Sequence, residues 1–207
     1  DFLADYQTRA YLIPFNSDWG FYMEWGRLPE ETDFVTAQDY RDYLSRLQQM
    51  GVVMDEYIAL MRTGLQLGFT QPRVILAGRD EPIKAQLVEK ADASPFFAPF
   101  LKMPETISAA ERAQIIETAR QVITDAVIPA YQRLYDFFQA EYLPGARETL
   151  GAYQLPGGEA FYQAQVRRYA TVNLSPQEIH DIGLSEVARI RAEMETTIRE
   201  TGFKGDF

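Results

Sequence analysis

The apolar positions of this chain recur with helical period almost from end to end. The most fully specified start lies in Asn173–Met194, NLSPQEIHDIGLSEVARIRAEM. Ser175 is placed to cap a helix, Pro176 occupies a position where a missing N–H costs nothing, and Glu178 completes a capping box. Glu178 also sets negative charge at the positive end of the helix dipole. Ile179, Ile182, Val187, Ile190, Met194 and Ile198 follow at three- and four-residue steps, an apolar stripe on one face. The pattern predicts a capped helix near 176–200, stopping at Gly202, a residue suited to the left-handed C′ position.

Thr36, with Asp39 three residues on, predicts another start, and Tyr40, Tyr43, Leu44 and Leu47 form its inner stripe. Val53, Tyr57, Leu60, Met61 and Leu65 carry the stripe through Gly51 to a stop at Gly68. Ser108 and Glu111 open a third helix whose face runs Ile115, Ala119, Val122, Ile123, Ala126, Ala130, Leu134 and Phe137. Pro129 falls inside that pattern, removing a backbone bond and clashing with the turn before it. The expectation is a kinked helix, or two abutting ones, over 109–141, with Pro144 and Gly145 breaking the chain.

Shorter helices are predicted before Pro14, over Arg73–Ala77 and around Ile83–Glu89, and a longer one over Glu159–Ala170. Phe96, Phe97, Phe100 and Leu101 read as an apolar loop cluster. Asn16–Thr32 reads as a loop carrying Trp19, Phe21, Tyr22 and Trp25. Those rings either pin the loop to the core or form an aromatic wall of a ligand cleft. No run alternates apolar and polar residues as a strand would. The fold class is all-α, a multi-helix orthogonal or bundle array, with residues 1–207 as a single helical region.

Composition narrows the partners. Hydrophobic residues make up 46% and charged residues 24% of 207, within the globular range. A net charge of −10 disfavours nucleic acid and anionic membrane, which need clustered Lys and Arg. There is no cysteine, so thiol chemistry is excluded, and no apolar run approaches a membrane span. Asp1 in place of a Met, and Phe207 soon after a helix, are read as cut ends of a longer chain.

The chemical constellations are sparse. His180 is the single histidine, no HExxH or GxSxG occurs, and no glycine-rich loop follows a strand. The residues alone give no catalytic centre and no metal or cofactor ligand set.

An ordered series of motifs adds an ancestry. YRDYLSRL at Tyr40–Leu47, GFTQPRVIL at Gly68–Leu76, SPFFAPF at Ser94–Phe100, VIPAYQRLYDFF at Val127–Phe138, EYLPGAR at Glu141–Arg147, LPGGEAFY at Leu155–Tyr162 and LSPQEIHDIGLSEVARI at Leu174–Ile190 together resemble the bacterial family filed as domain of unknown function eight-eight-five. The resemblance implies an all-helical protein similar to zinc-dependent oligopeptidases and carboxypeptidases, in members substantially longer than this chain. Their zinc motif of the form HExxPGHH, and a later EGWAxYxE motif, fall C-terminal to the helix of Leu174–Ile190, and neither occurs here. The resemblance therefore implies zinc for a longer parent but no ligand in this segment, and an export or lipoprotein signal directing the parent to the periplasm or cell envelope. It makes this chain the non-catalytic helical part of such a hydrolase, lining a peptide-substrate cleft and partnered by the remainder of its own polypeptide. Tyr162, Arg168, Tyr169 and His180 are the candidate cleft residues, clustered around the most specific block. The rival expectation is a helical binding or assembly module without hydrolytic activity.

Overall fold

A computed structural model describes residues 9–205 and divides them into two compact units, 9–150 and 151–205. Among the described residues the secondary structure is helical, with two isolated bridges, Phe15 to Gly20 and Pro72 to Arg147, and no strand. Most of the helix predicted before Pro14 lies outside the described residues; Ala10–Leu12 form a 3₁₀ turn.

In the larger unit, α1 (Phe21–Glu31) replaces the loop expected there. Gly20, Gly26 and Pro29 weaken the local helix signal, and Gly20 at its start offers no side-chain cap. Tertiary packing overrides that weakness. Phe21 and Tyr22 are buried, Phe21 stacks on Tyr57 with ring centroids 4.0 Å apart, and Trp25 and Leu28 lean on the same core.

Helix α2 (Ala37–Leu67) is the axis of the unit. Its capping box forms as expected: Thr36 accepts from the Asp39 N–H, and the Asp39 carboxylate accepts from the Thr36 N–H at 2.6 Å. Tyr40, Tyr43, Leu44, Leu47, Met50, Met54, Ile58 and Met61 form its buried edge. Each such side chain contributes about 1.5–3 kcal/mol on leaving water. Gly68 ends the helix at φ 78°, and its N–H closes onto Gly64 and Leu65 carbonyls.

A short helix over Glu81–Lys84 and 3₁₀ turns over Arg73–Leu76 and Pro95–Leu101 cover part of this core. Phe96, Phe97 and Phe100 are buried. Leu101, expected among them, is 74% exposed, because the turn carries it to the other side. The capping box at Ser108 is only half made. Ser108 accepts from the Glu111 N–H, while the Glu111 carboxylate receives a hydrogen bond from Arg41 instead.

The proline-bearing segment stays helical throughout. Helix α3 (Ala109–Val122) passes through a π turn at Ile123–Val127 into α4 (Ile128–Phe137), then a second π turn at Phe138–Tyr142 and a last turn at Leu143–Gly145. A proline obstructs the carbonyl four residues before it. For Pro129 that residue is Asp125 and for Pro144 it is Ala140, each the middle residue of a π turn. The widened turn is thus the relief that the kink expected at Pro129 stood for, and Pro144, expected to break the chain, is passed in the same way. Arg147 ties the end of this segment to the Thr70 stretch: its N–H donates to the Thr70 hydroxyl and its Nε to the Thr70 carbonyl.

The smaller unit holds a 3₁₀ turn at Ala152–Gln154, α5 (Gly158–Ala170) and α6 (Pro176–Glu200). Both helices fall where the sequence places them. Ser175 and Glu178 form the full capping box, and Gly202 takes φ 72°. The stripe of α6, however, is not buried: no residue of that helix is.

Candidate functional site

The four sequence-predicted cleft residues all lie on the smaller unit. Tyr162 and Tyr169 sit seven residues apart on α5, hence on one face of it, and they are 43% and 77% exposed. Arg168 is brought over the Tyr169 ring at 5.5 Å, a cation–π pair on an open surface. The basic charge of Arg167 and Arg168 falls in the last turn of α5, where it complements the helix dipole. His180 follows the capped first turn of α6 and is exposed. Gln163 donates to the Leu174 carbonyl at 2.8 Å, fixing the link between the two helices.

This surface carries phenol hydroxyls, a guanidinium and an imidazole. Among the described residues no three His, Asp or Glu side chains converge as a metal site. The described residues thus offer no ligand set for the zinc that the resemblance assigns to a longer parent, and no chemical step passes through it here.

The larger unit holds a groove that the sequence did not reveal. It has a volume of about 390 Å³ between α2 and the α4 segment, floored by Ile58 and Phe137. Arg62 grips Glu141 through Nε at 2.8 Å and Nη2 at 2.5 Å, and lies over the Phe137 ring at 5.2 Å. Arg133 grips Asp55 in the same two-pronged manner, at 2.8 and 3.0 Å. Hydrogen bonding from Arg62 holds the Glu141 carboxyl below its usual range. Both guanidinium forks are thus satisfied within the groove. The pairs join residues 79 and 78 positions apart, and no local spacing signals such a contact.

Three of the four rings of Asn16–Thr32 pack on the core, Trp25 among them. Phe21 and Tyr22 are buried, while Trp19 remains at the surface and donates from Nε1 to Glu24. A second depression, of about 220 Å³, is lined by Glu31, Asp33, Asp39, Asp42 and Arg46. The Asp39 carboxylate there is committed to the α2 cap.

Comparison with known proteins gives the chain a lineage. The family model described as "Bacterial protein of unknown function (DUF885)" matches residues 3–207. No curated protein matches. A solved structure described as that of the putative lipoprotein from Colwellia psychrerythraea superposes with a TM-score of 0.77 at 24% identity, over 92% of this chain. The match takes in 33% of that protein's chain, so this chain spans about a third of its length, and at this identity the likeness establishes the fold alone. Among the described residues no helix is long and apolar enough to cross a membrane.

Proposed function

This chain belongs to the bacterial family DUF885, and from that premise we propose that it is the non-catalytic helical portion of a peptidase- or carboxypeptidase-like hydrolase. In this reading α5 and the start of α6 form one wall of a substrate cleft. The observation that carries it is the open surface holding Tyr162, Arg168, Tyr169 and His180. They are of the kinds that hold a peptide and its terminal carboxylate. Any catalytic metal belongs to residues beyond this chain. The description of the structural neighbour as a "putative lipoprotein" supports a place in the periplasm or cell envelope for the longer protein.

The test uses the full-length natural protein. The expected result is bound zinc together with peptidase activity that a chelator abolishes, and a raised KM with unchanged kcat in Arg168→Ala. A metal-free protein whose activity ignores the chelator would sink the hydrolase reading. One observation favours a second reading, a binding or assembly module without hydrolytic activity: the apolar stripe of α6 lies open. Light scattering on the 207-residue chain separates the two, since a concentration-independent monomer weighs against self-assembly.

A further inference from the structure

At 100° per residue, Ile179, Gly183, Val187, Ile190, Met194 and Ile198 fall within about 100° of one another on α6, the width of a core-facing stripe. Here that stripe is not buried. Val187 is 66% exposed, Ile190 44% and Met194 40%, and Ile179 and Ile198 are only half-buried. The deficit extends through the smaller unit, where Leu155 and Gly158 are the buried residues among those described. Helices in proteins draw most of their stability from packing an amphipathic face. A 25-residue helix with nothing buried is therefore a surface awaiting its counterpart.

Three occupants can be weighed on charge and length. A membrane surface is disfavoured, because α6 carries Glu178, Asp181, Glu186, Glu193, Glu195 and Glu200 against Arg189, Arg191 and Arg199, whereas interfacial helices are basic on their polar side. A second copy is disfavoured by the net charge of −10 on each chain, which repels like chains. The longer relative supplies the third. This fold occupies 33% of its chain, leaving about two thirds of that polypeptide to pack somewhere, and the family match here runs through α6 to residue 207.

We propose that the stripe of α6 seats a helix from the remaining part of the longer family protein. That helix presents apolar residues at three- and four-residue spacing. The rim beside the stripe is self-satisfied, since Arg189 pairs with both Glu186 and Glu193. Apolar packing rather than ion pairing therefore holds the partner. Gly183 sits inside the stripe with nothing within 4 Å of where a Cβ would stand, a notch that permits close approach of the partner helix. The inference rests on the chain being part of a longer protein, not on hydrolysis.

The experiment compares amide hydrogen exchange of α6 in the full-length natural protein and in the 207-residue chain. Amides of residues 182–198 should exchange at least about tenfold more slowly in the longer protein. The double variant Val187→Asp/Ile190→Asp should erase that difference while α2 keeps its protection in both. Neither residue is buried in this chain, so the variant removes no existing core contact, and far-UV circular dichroism of the 207-residue chain verifies that it folds. Equal exchange in the two proteins overturns the proposal. So does a dimer of the 207-residue chain that the double variant dissociates, which would make a second copy the occupant. Protection of α6 without chelator-sensitive activity upholds this inference and sinks the hydrolase reading.

Discussion

The Tyr131 hydroxyl donates to the main-chain carbonyl of Tyr22 over 2.8 Å, in the buried core and across 109 residues of sequence. This bond ties α1 to α4 within their common core, and it satisfies a buried phenol. Tyr131→Phe keeps the ring and leaves the Tyr22 carbonyl without that donor. The expected loss is about 1–3 kcal/mol, read as a lower urea midpoint with an unchanged m-value. An unaltered midpoint would mean that the contact adds nothing.

The same phenols set the behaviour in alkali. Burial raises Tyr43 and Tyr131 well above the ordinary tyrosine range and pushes Tyr142 up to about 12. Unfolded tyrosines ionise near 10. Between that pH and the folded values the unfolded chain has lost protons that the folded one keeps, so stability is intact below about 10 and falls as pH rises. Urea unfolding at pH 8 and pH 11 should show the drop, and Tyr131→Phe should make it shallower. Phenolate absorbance that rises near pH 10 for every tyrosine, without loss of structure, would contradict the burial.

Much of this fold is legible in the sequence because its main helices carry their own punctuation. Thr36 with Asp39, Ser175 with Glu178, and the stops at Gly68 and Gly202 are local signals, and the structure honours each. Helix α1 is not legible. Gly20 at its cap, Gly26 and Pro29 speak against a helix, and only burial of Phe21 and Tyr22 against residues far along the chain decides the matter. The π turns are half legible: Pro129 and Pro144 announce a disturbance, but whether it becomes a kink, a break or a widened turn depends on packing on both sides. For the candidate site, the sequence nominates Tyr162, Arg168, Tyr169 and His180, and the structure sets the Arg168 guanidinium over the Tyr169 ring. The groove gripped by Arg62 and Arg133 rests on long-range pairings that no periodicity encodes.

Two helical glycines should respond to alanine with opposite signs. A Cβ on Gly64 would stand 2.7 Å from the Phe69 carbonyl oxygen and 2.9 Å from that of Leu12. Both are backbone atoms that cannot swing away, so Gly64→Ala should cost about 1–3 kcal/mol. Gly26 lies within α1 with nothing within 4 Å of its Cβ position, so Gly26→Ala should gain about 0.5–1 kcal/mol by restricting the unfolded chain. Thermal unfolding of the pair checks both, and a destabilised Gly26→Ala would show that α1 is not helical at that point.

The two-pronged pairs in the groove are less important for stability than their geometry suggests. Arg62 and Glu141 are 51% and 42% exposed, so water and salt screen them. Glu141→Gln should shift stability by less than about 1 kcal/mol, and the shift should shrink further in molar salt. A larger, salt-insensitive loss would indicate that the pair holds the second π turn in place.

Helix caps should govern the acid limb. Hydrogen bonds from Ser175, its hydroxyl before its backbone N–H, hold the Glu178 carboxyl below the usual range, and those of Thr36 do the same for Asp39, there with the backbone N–H foremost. Their unfolded values lie near 4, so the unfolded chain binds protons that the folded one refuses. The caps therefore stabilise above about pH 4 and fail as pH falls through the lowered folded values. Thr36→Ala should remove about 0.5–2 kcal/mol from the larger unit at neutral pH and flatten its decline in acid. Ser175→Ala should instead act locally, because α6 buries nothing in this chain: amides in its first turn should exchange faster while α2 stays protected. If Ser175→Ala lowered the protection of α2 as well, the two units would be unfolding as one.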